Sequence, residues 1–320
     1  MPEHRVLLIT YPLSESNLSR IREVASEGFR VMYTPSPEVC TEEILSGAEV
    51  IFGEPSQEEI KLATHLRWLH VASAGVDHVL FPELKERHVV LTNSRGMHGP
   101  QIAELVFGFL LQWSRRLPIW AEQQKQHRWD KRPYKQMKVL HGLTMVIVGY
   151  GNVGHAIARA AHGFGMHVIG VRRTSSGKAR DELGVELLDL DSALPRADVV
   201  VNALPQTPET VKLFSREKFN LMVRKPFFIN VGRGGTVDEA ALIEALREGV
   251  ISGAALDVFS IEPLPAEHPL WNMENVFITP HIAGLIPGYM GIAVGLFLDN
   301  LQRYVQAKDL INVVNLDVGY

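Results

Sequence analysis

Three side chains late in the sequence have the types needed to move a proton beside a bound carboxylate: Arg233, Glu262 and His281. Each follows an apolar run. Arg233 follows Phe228-Ile229-Asn230-Val231-Gly232, Glu262 follows Ala255-Leu256-Asp257-Val258-Phe259, and His281 follows Val276-Phe277-Ile278-Thr279-Pro280. If those runs are strands of an open α/β sheet, all three side chains lie past carboxyl ends, where such sheets bind ligands. An imidazole titrates closest to neutral pH and can donate or accept a proton. A carboxylate beside it orients the ring and favours its charged form. The planar guanidinium can hold a carboxylate and polarise an adjacent carbonyl. Singly, each has an ordinary alternative: a surface arginine, a loop acid before Pro263, a hydrogen-bonding core histidine. Jointly they suit hydride transfer to a 2-oxo acid, provided a hydride donor is held nearby.

The element that would hold such a donor lies upstream. Met145-Val146-Ile147-Val148 runs into Gly149-Tyr150-Gly151-Asn152-Val153-Gly154, and helical spacing follows over Ala156–Phe164 before a second apolar run, His167–Val171. This is G-x-G-x-x-G in the strand–turn–helix setting of a dinucleotide fingerprint. Gly149 permits the tight turn, Gly151 lets backbone approach a pyrophosphate, and Gly154 lets helix and strand pack closely. The N–H groups at the helix start, from Asn152 and Val153 onward, favour an anion. An acid at the end of the second strand would read the ribose of NAD. Here Arg172, Arg173 and Thr174 follow Val171, and the first acid is Asp181. Arginines there suit the extra phosphate of NADP(H), so NADP(H) is favoured over NAD(H). Two arginines on a solvated strand edge are the alternative, which leaves the missing acid unexplained.

A chain of 320 residues allows about two domains. In the first hundred residues Val6–Ile9, Arg30–Tyr33, Val50–Phe52, Leu69–Val71 and Val89–Thr92 read as strands of a buried parallel sheet, alternating with helical stretches. A long helix is expected from Pro100 to about Leu117, with proline at its first turn. The polar stretch Glu122–Val139, carrying Trp129, reads as an exposed connection or as an arm packing on a second subunit. Strands at Val199–Ala203, Phe227–Val231, Gly253–Leu256 and Val276–Thr279 complete a second α/β unit. Thr236-x-x-Glu239 reads as a helix-capping box.

Net charge is −4, which gives no positive field for nucleic acid or an anionic membrane. No apolar stretch approaches the roughly 18 residues of a membrane span, and the amino terminus does not read as a signal peptide. A lone cysteine, Cys40, excludes an internal disulfide and a cysteine-based metal cage. These features point to a cytoplasmic enzyme with a small-molecule substrate and no metal.

Across essentially its whole length the chain resembles the D-isomer-specific 2-hydroxyacid dehydrogenase family, particularly its NADPH-using, glyoxylate/hydroxypyruvate reductase-like branch. The resemblance rests on Gly149–Gly154, Asn202–Thr210 (NALPQTPET), Asn230–Leu242 (NVGRGGTVDEAAL), Ala255–Pro263 (ALDVFSIEP) and Pro269–Gly284 (PLWNMENVFITPHIAG). It implies that Arg233, Glu262 and His281 are the catalytic residues, His281 acting as acid in reduction and base in oxidation. It implies cofactor contacts from Leu204, Pro205, Val231, Gly232, Ala283 and Gly284, with Asp257 touching the nicotinamide carboxamide. Ser73-Ala74-Gly75-Val76-Asp77 resembles the loop whose amides, at Ala74, Gly75 and Val76, receive the substrate carboxylate; a plain tight turn is the alternative. The implied fold is two doubly wound parallel-sheet domains with a cleft between them. One is a Rossmann-type cofactor domain over 99–287, the other a flavodoxin-like substrate domain over 1–98 and 288–320. A homodimer is also implied, with the helix from Pro100 and the Trp129 arm at its interface; for Trp129, core packing is the alternative.

The chain departs from the family in lacking the NAD-type acid and in the apolar segment Leu285-Ile286-Pro287-Gly288-Tyr289-Met290. That segment leaves substrate size open, from glyoxylate to branched 2-oxo acids. Two other activities share the scaffold. One is formate or phosphite oxidation; formate dehydrogenases resemble the chain but pair their histidine with glutamine, and Glu262 argues against that option. Dinucleotide-sensing corepressors can keep the same Arg, Glu and His without turnover.

Overall fold

The structure, a computed structural model, describes residues 5–26, 28–35, 41–172 and 180–319. Arg173 and Thr174 therefore lie outside the described residues. By internal contacts the chain divides into two units, 1–97 with 286–320, and 98–285.

The first unit is built on a five-stranded parallel sheet of β1 (Arg5–Ile9), β2 (Phe29–Tyr33), β3 (Ala48–Phe52), β4 (Trp68–Val71) and β5 (Val90–Asn93). Their order is β2-β1-β3-β4-β5, the flavodoxin-like arrangement. Alternation along the strands sends Leu7, Ile9, Val50, Phe52 and Trp68 to one core, and Leu8, Ile51, Leu69, Val71 and Leu91 to another. The helix Tyr289–Val305 covers the first face with Ala293, Val294, Phe297 and Leu301. The chain's last segment thus completes its first domain.

The second unit holds β6 (Thr144–Val148), β7 (His167–Val171), β8 (Glu186–Leu188), β9 (Val199–Asn202), β10 (Phe227–Asn230), β11 (Gly253–Leu256) and β12 (Val276–Ile278). All pair in parallel, in the order β12-β11-β10-β9-β6-β7-β8. The order reverses between β6 and β9, the switch point at which Rossmann sheets bind dinucleotides. One row of paired residues crosses this sheet: Ile278, Leu256, Asn230, Asn202, Val148, Val171 and Leu188. β8 has no matching sequence signal, being three half-buried residues of an edge strand.

The helix Gly99–Arg115 packs against the helix Asn152–Gly163, and its Ile102, Val106, Phe107, Leu110 and Trp113 join the core that helix shares, Trp113 stacking on Phe227. It stops where Arg116 adopts a left-handed φ of 56°, and a second helix, Leu117–Lys125, begins at once. Trp129 is 90% exposed, which overturns the core-packing reading of it. Thr236-x-x-Glu239 is not a capping box either. Asp238 caps the helix Glu239–Arg247 by accepting from Ala240 N and Ala241 N, while the Glu239 carboxylate accepts from the backbone and hydroxyl of Ser260. No helix of the described residues is long and apolar enough to cross a membrane.

Candidate active site

Arg233, Glu262 and His281 follow β10, β11 and β12, three neighbouring strands in register, so all three leave the sheet at one edge. His281 Nδ1 lies 2.7 Å from Glu262 Oε2. The other carboxylate oxygen, Oε1, accepts from Phe259 N at 2.9 Å, which fixes the acid before it meets the ring. A carboxylate can only accept, so Nδ1 donates to it and Nε2 is the ring nitrogen left outside the pair. No protein group engages Nε2 among the described residues, and the His281 side chain is 48% exposed.

The backbone at His281 is left-handed, with φ 52°. A non-glycine residue holds that conformation at a cost of about 1–3 kcal/mol, and only where its surroundings over-determine it. Asp257 does so here. Its carbonyl accepts from His281 N at 2.8 Å. Its carboxylate accepts from Thr279 Oγ1 (2.6 Å), Ile282 N (2.9 Å) and Ala283 N (2.9 Å). The expectation for Asp257 was a cofactor contact; the residue is 0% exposed and its charge faces the turn that carries His281.

Arg233 is set by a buried amide network. Asn202 Nδ2 donates to Asn230 Oδ1 (3.0 Å) and Thr236 Oγ1 (2.7 Å). Thr236 Oγ1 donates to Arg233 O at 2.6 Å, and Asn230 Oδ1 accepts from Gly232 N at 3.1 Å. The guanidinium donates to Gly232 O at 3.0 Å. Buried His98 lies within reach of Arg233's charge; burial first, and that charge second, hold its imidazole below the usual histidine range. Gly284, on the His281 turn, also packs against the His98 ring. The sequence reading missed Asn202, Asn230 and His98. The available signal was an asparagine closing each of two otherwise apolar strands.

The glycine turn after β6 has room for an anion. Gly149 has φ 96°, and a methyl group there would stand 2.6 Å from Ala203 O. A Cβ at Gly154 would meet Gly149 O, whereas one at Gly151 would meet nothing within 4 Å. No side chain caps the helix Asn152–Gly163, so its first N–H groups keep their anion-binding capacity. Tyr150 turns inward from the same loop, its ring over Gly170 and its hydroxyl donating to Asp181 Oδ2 at 2.6 Å. Asp181 Oδ1 accepts from Leu183 N and Val185 N. These bonds hold the carboxyl below its usual range against the opposing effect of burial. Its side chain is 8% exposed, and both oxygens of the first acid after β7 are engaged by protein donors. Arg172 directly follows β7, close enough for its charge to act on the Tyr150 hydroxyl. Leu204 and Pro205 follow β9, with Leu204 N held by Asn202 Oδ1 and Pro205 O accepting from Thr210 Oγ1. The residues present therefore fit a dinucleotide pyrophosphate.

In the amino-terminal unit, the loop after β4 has an uneven hydrogen-bond pattern. Four successive carbonyls are engaged. Tyr289 Oη donates to Ala72 O, Ser94 N to Ser73 O, Asn93 Nδ2 to Ala74 O and Ser73 Oγ to Gly75 O. The N–H groups of Ser73, Ala74, Gly75 and Val76 meet no acceptor among the described residues. A run of backbone donors with its carbonyls turned away is the composition of an anion nest.

Comparison with known proteins agrees with this architecture. The model of the D-isomer specific 2-hydroxyacid dehydrogenase NAD binding domain matches residues 107–283. A D-3-phosphoglycerate dehydrogenase of Methanocaldococcus jannaschii is 30% identical over 97% of this chain, which spans only 59% of that relative's length. A glyoxylate reductase of Korarchaeum cryptofilum is 30% identical over 98% of this chain and 96% of its own. Among solved structures, an NADPH-dependent glyoxylate/hydroxypyruvate reductase of Sinorhizobium meliloti, in complex with NADP and sulfate, superimposes with a TM-score of 0.83. It shares 29% identity, covering 99% of this chain and all of that one. The chain belongs to the D-isomer specific 2-hydroxyacid dehydrogenase family.

Proposed function

We propose that the chain reduces a small 2-oxo acid to a D-2-hydroxy acid, reversibly, with NADP(H) favoured over NAD(H). The observation that carries this reading is the His281–Glu262 pair at 2.7 Å, with Nε2 open, past the same sheet edge as the glycine turn. When bound, the dinucleotide supplies the hydride. Gly149, Gly151, Asn152, Val153 and Gly154 hold its pyrophosphate. Leu204, Pro205, Val231, Gly232, Ala283 and Gly284 line the nicotinamide side, with Asp257 behind them. His281 Nε2 gives its proton to the oxygen that becomes the hydroxyl, and Glu262 stabilises the charged ring before that transfer. Arg233 orients the carboxylate and polarises the carbonyl. Ala74, Gly75 and Val76 offer the carboxylate their N–H groups.

The preference for NADP(H) is supported by Arg172, with Arg173 and Thr174 next in sequence, and by Asp181, whose two oxygens are engaged by protein donors. It is also supported by the NADP held in the Sinorhizobium meliloti relative. The substrate class is supported by the glyoxylate reductase of Korarchaeum cryptofilum. Initial rates on glyoxylate, hydroxypyruvate, pyruvate and 2-oxoisovalerate, each with NADPH and NADH, test the reading. One fast substrate with an NADPH preference is expected. No turnover in protein that binds cofactor overturns it in favour of a dinucleotide-sensing module.

A homodimer belongs to the same proposal. Trp129, Tyr134 and Val139 are exposed on the arm beyond the helix Leu117–Lys125, an apolar set that suits contact with a second copy. Sedimentation of the chain and of Trp129→Ser tests it, with a dimer expected for the first and a weakened dimer for the second.

A further inference from the structure

The loop after β4 is held in an unusual way at its first residue. Both polar atoms of Ala72 bond to tyrosine hydroxyls from distant parts of the sequence. Ala72 N donates to Tyr11 Oη at 2.9 Å, and Tyr289 Oη donates to Ala72 O at 2.8 Å. Tyr11 stands two residues past β1, and Tyr289 opens the helix that returns to this unit. Each phenol therefore has a fixed sense. Tyr11 donates its own proton to Glu54 Oε1 at 3.0 Å, which leaves its lone pair for Ala72 N. Glu54 in turn is paired with His78 at 3.3 Å, and that pairing, with the Tyr11 bond, holds its carboxyl below the usual range. Burial and the Glu54 charge push both tyrosines up, Tyr289 to about 12, so both stay protonated at neutral pH.

We infer that Tyr11 and Tyr289 are positioning residues which, by gripping the backbone N–H and carbonyl of Ala72, aim the amides of Ala74–Val76 at a substrate carboxylate. The inference rests on the proposed role of those amides. The consequence is geometric. With Ala72 fixed on both sides and the carbonyls of Ser73, Ala74 and Gly75 held by Ser94, Asn93 and Ser73, the N–H groups have one direction left. Backbone donors aimed in advance bind an anion without an ordering cost at the moment of binding. The apolar segment Leu285–Met290 then has a specific purpose for one residue: it delivers Tyr289 to the loop.

The test uses Tyr289→Phe and Tyr11→Phe in the full chain. Phenylalanine keeps the ring, which for Tyr11 packs edge-on to Phe52 at 5.0 Å, and removes only the hydroxyl. One hydrogen bond is worth about 3- to 10-fold in affinity. The expected result is a KM for the 2-oxo acid raised by about that factor in each variant, with kcat within about twofold. The affinity for oxalate, titrated without turnover, should weaken in parallel, while NADPH affinity stays unchanged. A lowered melting temperature with KM and oxalate affinity unchanged overturns the inference, because the tyrosines would then be structural only. Equal loss of NADPH affinity overturns it too, as general loosening. If the parent chain reduces no 2-oxo acid, the functional reading fails separately, and weaker oxalate binding by the variants still supports the grip. Oxalate that does not bind the parent chain at all overturns both. Should one variant fail to fold, the other carries the same measurement.

Discussion

In the function proposed above, the loop after β4 and the turn after β12 serve the same small ligand by opposite means. At the turn, side chains face the reaction and backbone positions them: Phe259 N holds Glu262, and the Asp257 carbonyl holds His281 in a left-handed conformation. At the loop, backbone faces the ligand and side chains position it: Tyr11, Tyr289 and Asn93 fix the peptides so that N–H groups are left over. A side chain that does chemistry leaves its letter in the sequence. A backbone amide leaves none, and only the residues behind it can be altered. The two regions should therefore answer mutation differently, one through the chemical step and the other through binding.

The largest effect belongs to the turn. His281→Ala removes the proposed proton donor and should lower kcat by about 10²–10⁴-fold. Dinucleotide affinity should survive, because the glycine turn is untouched. Steady-state rates with a fluorescence titration of NADPH check both halves. An unchanged kcat would take His281 out of its role and reduce the contrast between the regions to geometry alone.

Next in size is cofactor choice, where the sequence offers side chains and the structure describes only one of them. Replacing Arg172 and Arg173 with glutamine should weaken NADPH by about 10- to 100-fold, the loss of one or two charge-assisted hydrogen bonds, and NADH far less. Equal losses for the two cofactors would mean that neither arginine reads the phosphate.

A third effect separates the buried polar groups beneath the two regions. Under the turn Asn202, Asn230 and Thr236 do not titrate, and the buried Asp257 and His98 stand beside them. Under the loop the group is His70, wholly buried between the rings of Phe52, Trp68 and Phe297 and bonded to Thr92 Oγ1 at 2.7 Å. Burial alone lowers its pKa to about 3. In the unfolded chain that imidazole binds a proton near pH 6.5; in the native chain it does not until about pH 3. Its contribution to stability is therefore complete above pH 6.5 and is lost as pH falls toward 3. Between pH 6.5 and 5, above the carboxylate range, stability should fall by about 1–2 kcal/mol. His70→Asn should reduce the slope across that interval in denaturant melts, and His98, also held below the usual range, supplies the rest. A slope undiminished in the variant would assign it to another histidine.

These cases also show which parts of the molecule the sequence discloses. The alternation that buries both faces of β3, β6 and β9 is written as continuous apolar runs, so sheets and order of elements are legible. Gly149–Gly154, Arg233, Glu262 and His281 are legible because the chemistry proposed for them needs those residue types. β8 is not, since three half-buried edge residues carry no period. Thr236 and Glu239 have the spacing of a capping box, yet both are drawn to tertiary partners: Thr236 to Asn202, Glu239 to Ser260. Asp238 is left to cap the helix. Local spacing lost there to contacts from other strands, which no window of sequence contains. Tyr11 and Tyr289 are hidden for the same reason, 278 positions apart and joined only through Ala72.

The smallest effect distinguishes two glycines of one motif. Gly149 sits at φ 96° with Ala203 O where its side chain would be, so its demand is made by the folded protein itself. Gly149→Ala should cost more than about 1 kcal/mol of stability whether or not a ligand is present. Gly151 has φ −110° and open space around its missing Cβ, so nothing in the protein requires glycine there. Gly151→Ala should leave the unfolding midpoint within about 0.5 kcal/mol of the parent. It should weaken the dinucleotide by about tenfold, because the methyl enters the space where backbone meets phosphate. Denaturant melts paired with NADPH titration separate the two demands. If Gly151→Ala binds NADPH as the parent does, the pyrophosphate does not approach at Gly151, and the open space there belongs to solvent.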